Sequence, residues 1–250
     1  MSLRFVKTLE EVRRLQKLYA EPEFEQFRGI SAVYETDPEV IAAVLPPPLK
    51  PTDNPIASVS VSRIGLSNGL QPFGAAGLSV QCEYEGIVGD YPLTMPMSTD
   101  SAVIFGRELY GEPKKVADIQ VRRNGNNVVG TVQRYGVTYI ELHGDVVEAG
   151  EPGDTGESSR FYFKYMPAPD GNGFDNDPVL VRVRHTGKTR LVERLDGEVL
   201  LRESTHDPVV DVPVRNLLSM SYAEGDTYTH GEILTRVPGE SFLPFMFGKA

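Results

Sequence analysis

The chain has 250 residues, 40% of them hydrophobic and 24% charged, which is ordinary for a globular fold and enough to bury a sizeable core. Acidic residues outnumber basic ones, 35 to 25, and the net charge of −10 repels phosphate, so no nucleic-acid partner is expected. The single cysteine, Cys82, excludes an internal disulfide framework and a cysteine-rich metal site, no stretch approaches the length of a membrane span, and the opening MSLRFVKTLEEV lacks a secretory apolar run, which makes the cytoplasm the expected compartment.

Helix signals are few. Thr8-Leu9-Glu10-Glu11 has capping-box spacing, and Leu9, Val12, Leu15 and Leu18 follow at helical intervals. This predicts a helix over 8–20 that ends before Pro22. A second box, Thr36-Asp37-Pro38-Glu39, opens a short helix that buries Val40, Ile41, Val44 and Leu45 and stops at Pro46-Pro47-Pro48. A third helix is expected from Thr99-Asp100 to Leu109, with Gly111 as its stop.

Most of the remainder alternates with period two. The segments 56–64, 128–134, 138–147, 160–165, 179–185 and 198–203 read as strands. Turn clusters at 124–126, 150–156, 170–177 and Asp196-Gly197 are expected to separate them. The loops at 149–158 and 169–177 are short enough for hairpin connections. The expected organisation is one mainly β (β-rich α+β) domain over 1–250, an antiparallel barrel or sandwich with a helical N-terminal decoration.

Several motifs have plain structural readings. His143, His185, His206 and His230 show no metal-ligand spacing and read as surface or satisfied strand residues. Gly65-Leu66-Ser67-Asn68-Gly69 matches a nucleophile elbow, but Leu70-Gln71-Pro72-Phe73 after it cannot start a helix well, so a hairpin loop is expected rather than a hydrolase serine. The segment 170–177 places Phe174 where a calcium loop wants an oxygen donor and has no closing Glu, so it reads as a hairpin tip.

The segment Gly106-Arg107-Glu108-Leu109-Tyr110-Gly111-Glu112-Pro113-Lys114-Lys115 differs in kind. A lysine amine becomes a nucleophile toward a carbonyl when it is desolvated or held near another cation. Bringing an ordinary lysine from about 10.4 to about 7 takes roughly 4.6 kcal/mol. A second ammonium about 6 Å away supplies roughly 3 kcal/mol at an effective dielectric of about 20. Lys115 alone is therefore insufficient for Lys114; a low-polarity pocket must add the rest. Glu108 and Glu112 are expected to point away.

This segment is similar to the active-site stretch of the acetoacetate decarboxylase family, in which a G-R-E…P-K-K run carries the Schiff-base lysine. Other parts resemble the family in order: Val33-Tyr34-Glu35-Thr36-Asp37 with Leu45-Pro46-Pro47-Pro48-Leu49, then Gly86-Ile87-Val88-Gly89-Asp90-Tyr91, Thr186-Gly187-Lys188-Thr189-Arg190-Leu191 and Asp207-Pro208-Val209-Val210-Asp211-Val212-Pro213-Val214. The likeness covers about 24–240. It implies a barrel-type fold of large antiparallel sheets, homo-oligomerisation, and neither metal nor organic cofactor. It assigns Lys114 as the imine-forming residue and Lys115 as the neighbour that lowers its pKa. Arg107 and Glu108 take the G-R-E positions, with a direct or a supporting role.

The chain also departs from the family's pattern. The carboxylates expected before G-x-x-G-D-Y fall on Ser60 and Ala75, and the early arginine falls on Phe27, with Arg28 beside it. Gln81 and Glu83 are the nearest polar substitutes, and Tyr84 and Tyr91 join them as candidates for proton transfer by position. These departures point away from acetoacetate, and the resemblance to superfamily members with this kind of altered pocket implies pyruvate aldol condensation and dehydration with an aldehyde. Decarboxylation of acetoacetate or another β-keto acid is the alternative, and a small-molecule-binding barrel without chemistry is the second.

Overall fold

The computed structural model describes residues 4–248. Four α-helices are present among them: α1 (Leu9–Ala20), α2 (Pro38–Val44), α3 (Asp100–Tyr110) and α4 (Gly239–Phe242). The strands are β1 (Glu23–Glu35), β2 (Lys50–Pro51), β3 (Ile56–Ile64), β4 (Leu66–Ser67), β5 (Phe73–Tyr84), β6 (Ile87–Met97), β7 (Lys114–Val116), β8 (Asp118–Asn124), β9 (Asn127–Arg134), β10 (Val137–Ala149), β11 (Ser158–Lys164), β12 (Val179–Leu201) and β13 (Asn216–Arg236). None of these helices is long and apolar enough to cross a membrane.

The strands form one sheet in the order β11-β6-β5-β3-β1-β13-β12-β10-β9-β8. β11 also pairs with β12, so seven strands close into a ring, as the barrel expectation requires. Pairing is antiparallel except for β11–β6 and β6–β7. β8 and β9 fold back onto the ring. Gly130 lies against Ile30 and Val61, and Gly74 lies against Ile119, approaches that leave no room for a side chain.

Two buried apolar clusters result. The larger takes Ile30, Ala32 and Tyr34 of β1, Val59 and Val61 of β3, and Phe161 and Phe163 of β11. The smaller takes Phe73, Met95, Met97, Tyr162, Val181 and Val183, with Ala102 and Tyr110 of α3 covering it. The period-two pattern accounts for this division, because successive strand residues face opposite sides.

The capping box at Thr8 forms as expected, with Thr8 and Glu11 exchanging hydrogen bonds. The helix nevertheless buries nothing fully; Leu9 is 74% exposed. The second box does not form. Asp37 is the N-cap of α2 and makes no side-chain cap, because its carboxylate grips Arg215 at 2.6 and 2.8 Å. Asp196-Gly197 is not a turn: it continues β12, where Gly197 sits directly opposite Gly144. A side chain there would strike the His143 carbonyl, so the glycine serves close strand approach rather than a bend. The loop 149–158 joins β10 to β11, which do not pair, so it is not a hairpin; 169–177 does connect the antiparallel pair β11–β12.

Candidate active site

α3 carries the G-R-E residues and delivers the lysines. It begins at Thr99, whose hydroxyl accepts from the Ala102 N–H. It ends at Gly111 with φ +79°, where a Cβ would lie 2.5 Å from the Lys164 Cα. Only glycine fits both the left-handed backbone and that approach. Beyond it the Lys114 N–H donates to the Glu112 carbonyl at 2.8 Å, a tight turn across Pro113. The Met95 N–H holds the Pro113 carbonyl at 2.9 Å, and Arg107 Nη1 holds the Lys114 carbonyl at 3.1 Å. β7 thus docks beside β6, Lys114 opposite Met95.

This turn places Glu112 and Lys114 on the same side. Lys114 Nζ lies 2.6 Å from Glu112 Oε2, with each side chain 7% exposed. Both rest on α3 at Gly106: a Cβ there would overlap the Glu112 carboxylate and sit 2.5 Å from Lys114 Nζ. The expectation that Glu112 points away is therefore overturned. Glu108 is exposed on α3.

Lys115 faces the other way, as successive strand residues do. Its Nζ donates to the His206 carbonyl at 2.9 Å and meets Asp207 Oδ1 at 3.1 Å. Arg134 takes the other oxygen of Asp207 at 3.1 Å, and the Asp207 side chain is fully buried. The charge of Lys115 is thus matched by a carboxylate. A hollow of about 740 Å³ opens here, lined by Val103, Arg107, Lys114, Lys115, Arg134 and Tyr135 among others.

Beneath α3, polar side chains from three strands share the face of Tyr162. Tyr110 packs its ring on Gly231 of β13. Two residues earlier on β13, Thr229 stands opposite His185 of β12. Arg160 and Tyr162 lie on the adjacent β11. The Tyr110, Tyr162 and Thr229 hydroxyls and His185 Nε2 are buried and close no hydrogen bond among the described residues. Burial, and then Glu112, pushes Tyr162 well above the usual phenol range; burial raises Tyr110 as well, with Glu112 adding to it. Burial, and then the cations Arg160 and Lys114, holds His185 well below the usual imidazole range. At neutral pH both phenols keep their protons and the imidazole is neutral. His185 is thus a strand residue, but not a satisfied one.

The hollow beside Lys114 is not lined by Arg28, Gln81, Glu83, Tyr84 or Tyr91. Arg28 is exposed in a separate hollow with Arg63, Arg190 and Glu224. Gln81 accepts from Thr52 and pairs with Asp90, which is five residues, about 16 Å of strand, from Met95 beside Lys114. Glu83 accepts from the Gly86 N–H in the β5–β6 turn. Tyr84 and Tyr91 pack edge-on against Phe161 and Phe163. Reasoning from sequence missed Arg160, Tyr162, Thr229 and Asp207 at this site. The only local signal was the alternation Arg160-Phe161-Tyr162-Phe163, which gives the first and third residues a common face.

A family model described as acetoacetate decarboxylase (ADC) matches residues 13–237. The chain belongs to the acetoacetate decarboxylase family. Acetoacetate decarboxylase of Burkholderia multivorans is 28% identical over 213 residues, covering 80% of this chain and 83% of that protein. A protein named CLA biosynthesis isomerase from Lactiplantibacillus plantarum is 28% identical over 225 residues, covering 82% and 80%. Among solved structures, acetoacetate decarboxylase from Legionella pneumophila superposes with a TM-score of 0.78 at 20% identity, covering 86% of this chain and 87% of that one. The enduracididine biosynthesis enzyme MppR complexed with pyruvate gives 0.73 at 15% identity, covering 86% and 91%. These structures share the fold. In this member of the acetoacetate decarboxylase family, Ser60 stands opposite Gly77, and the Ala75 carbonyl accepts from Ser62, so the departing positions bring no carboxylate.

Proposed function

We propose that the protein is a lysine Schiff-base enzyme acting on a small oxo acid, with Lys114 as the imine-forming residue. The buried Lys114–Glu112 pair carries this reading: an amine out of water, with a carboxylate 2.6 Å away to move its proton. Burial and a proton-accepting carboxylate are here the means of activating the lysine, since the charge of Lys115 is matched by Asp207. Arg107, Lys115, Arg134 and Asp118 line the adjoining hollow, and Asp207 matches the charge of Lys115 and Arg134.

Glu112 takes a proton from Lys114, and the Nζ lone pair attacks the ketone carbon. Glu112 returns that proton to the oxygen of the carbinolamine, which takes a second proton from the nitrogen and leaves as water; a protonated imine and the Glu112 carboxylate remain. Glu112 then removes a proton from the carbon next to the imine, and the electron pair moves into the imine to give an enamine. The enamine attacks an aldehyde carbon, and loss of water from the adduct followed by hydrolysis of the imine frees the lysine. This pyruvate aldol–dehydration route is favoured because Glu112, a carboxylate 2.6 Å from the imine-forming nitrogen, is within reach of the adjacent carbon as a base. It is also in keeping with the pyruvate complex of the MppR fold neighbour. The second reading, decarboxylation of a β-keto acid, is favoured by the Burkholderia relatives. There the bond to carbon dioxide breaks instead, and the enamine is protonated.

Cyanoborohydride reduction with pyruvate, and separately with acetoacetate, tests the proposal by intact mass and peptide mapping. A pyruvate adduct on Lys114 supports the aldol route, and an acetone-sized adduct from acetoacetate supports decarboxylation. Absence of both adducts refutes the imine.

A further inference from the structure

A second hollow, of about 410 Å³, is lined by Arg28, Arg63, Arg190 and Glu224 and not by Lys114. Arg28 comes two residues before Ile30 on β1, and Arg63 two residues after Val61 on β3. Both therefore stand on the face of the larger apolar cluster, and both are exposed. They are direct partners across the β1–β3 ladder. Side chains so placed leave their Cβ atoms about 5 Å apart, and like charges there repel.

The acids nearby are engaged elsewhere. Glu224, opposite Arg28 across the β1–β13 ladder, accepts from the Tyr222 hydroxyl at 2.6 Å. Asp226 accepts from the Gln26 N–H at 2.9 Å and holds Arg190 with its other oxygen. Arg28 and Arg63 close no ion pair among the described residues, so the hollow keeps an excess of positive charge in a chain of net charge −10. The backbone shapes this opening. β1 slips register between Phe24 and Phe27, and Gln26 takes φ +52°. The other non-glycine residues with positive φ, Glu85 and Tyr135, sit in hairpin turns; Gln26 lies inside a strand. Gly65 accommodates it, since a Cβ there would lie 2.9 Å from the Gln26 Cβ.

We propose that this hollow binds a phosphate dianion between the guanidiniums of Arg28 and Arg63, with Arg190 at its rim. The inference is independent of the chemistry at Lys114. A tetrahedral dianion offers oxygens to both strands and matches both charges of the opposed pair, where a monocarboxylate matches one. Guanidinium forks suit phosphate oxygens in this way. The net charge of the whole chain turns away polyanions, so the ligand class is a small one: free phosphate or a phosphate monoester.

The test is titration calorimetry of the full chain at constant ionic strength with inorganic phosphate, phenyl phosphate and chloride. Saturable one-to-one binding of a phosphate is expected, and the tighter of the first two ligands tells free ion from monoester. Arg28→Gln and Arg63→Gln should each weaken that ligand about tenfold or more. Arg28→Lys should fall between, since it keeps the charge and loses the fork. Arg194→Gln removes an arginine that meets Glu148 elsewhere and should leave binding within about threefold. Absence of saturable binding by both phosphates overturns the site. So does binding unchanged in the Arg28→Gln, Arg63→Gln double variant, equal weakening by Arg194→Gln, or chloride binding as tightly as phosphate.

Discussion

Glu112 Oε2 and Lys114 Nζ stand 2.6 Å apart over the bare Cα of Gly106. The pair depends on that glycine, because a side chain there would fill the place of the carboxylate and the amine. The opposing groups are the ends of two long side chains, so the clash resolves by separating them and not by unfolding the helix.

Gly106→Ala should therefore keep the fold at a cost of about 1–3 kcal/mol, the usual penalty for overpacking a filled interior. Reductive labelling of Lys114 should fall sharply. Urea unfolding and labelling rate measured on the same preparation check this; labelling at the wild-type rate would show that the pair is unimportant.

Glu112→Gln keeps the shape and removes the proton acceptor. Turnover should fall by about 10²–10⁴, the usual contribution of a positioned acid–base group. The Lys114 adduct should still accumulate on long incubation. Steady-state rates together with trapping separate the two effects, and unchanged turnover would assign the proton transfers elsewhere.

Asp207→Asn leaves Lys115 and Arg134 without their shared, fully buried carboxylate. Removing one member of a buried charge network costs about 3–5 kcal/mol. The urea midpoint should drop at constant slope. Lys115→Met should cost less, because Arg134 still satisfies Asp207.

His185 gives the protein an acid sensitivity. Burial first, and then Arg160 and Lys114, depress its folded pKa well below 6.5. Below pH about 6.5 the unfolded chain binds a proton that the folded chain refuses. The stability His185 contributes is thus intact above pH 6.5 and declines as pH falls, by up to about 1.4 kcal/mol per pH unit until the folded value is reached. Urea midpoints at pH 7.5 and 5 should diverge less in His185→Gln; an equal divergence would place the sensitivity on other groups.

Much of the fold was legible locally. The box at Thr8, the stop at Gly111 and the strands at 56–64 and 128–134 follow from neighbours a few residues apart, and all formed. Local reading failed where a distant partner competed. Asp37 left its cap for Arg215, and Asp196-Gly197 stayed extended because β10 lies against it.

The candidate site divides in the same way. The sequence by itself determined the run from Gly106 to Lys115, the end of α3 at a left-handed glycine, and the opposite facing of Lys114 and Lys115, because capping, proline geometry and strand alternation act over short range. Only the tertiary structure decided what surrounds the amine. The turn across Pro113, held by Met95, aims Glu112 at Lys114; Asp207 claims Lys115; and the register of β11, β12 and β13 brings Arg160, Tyr162, His185 and Thr229 beneath α3. Charge and hydrogen bonding act through space, and these partners become neighbours only once the ring of strands has closed.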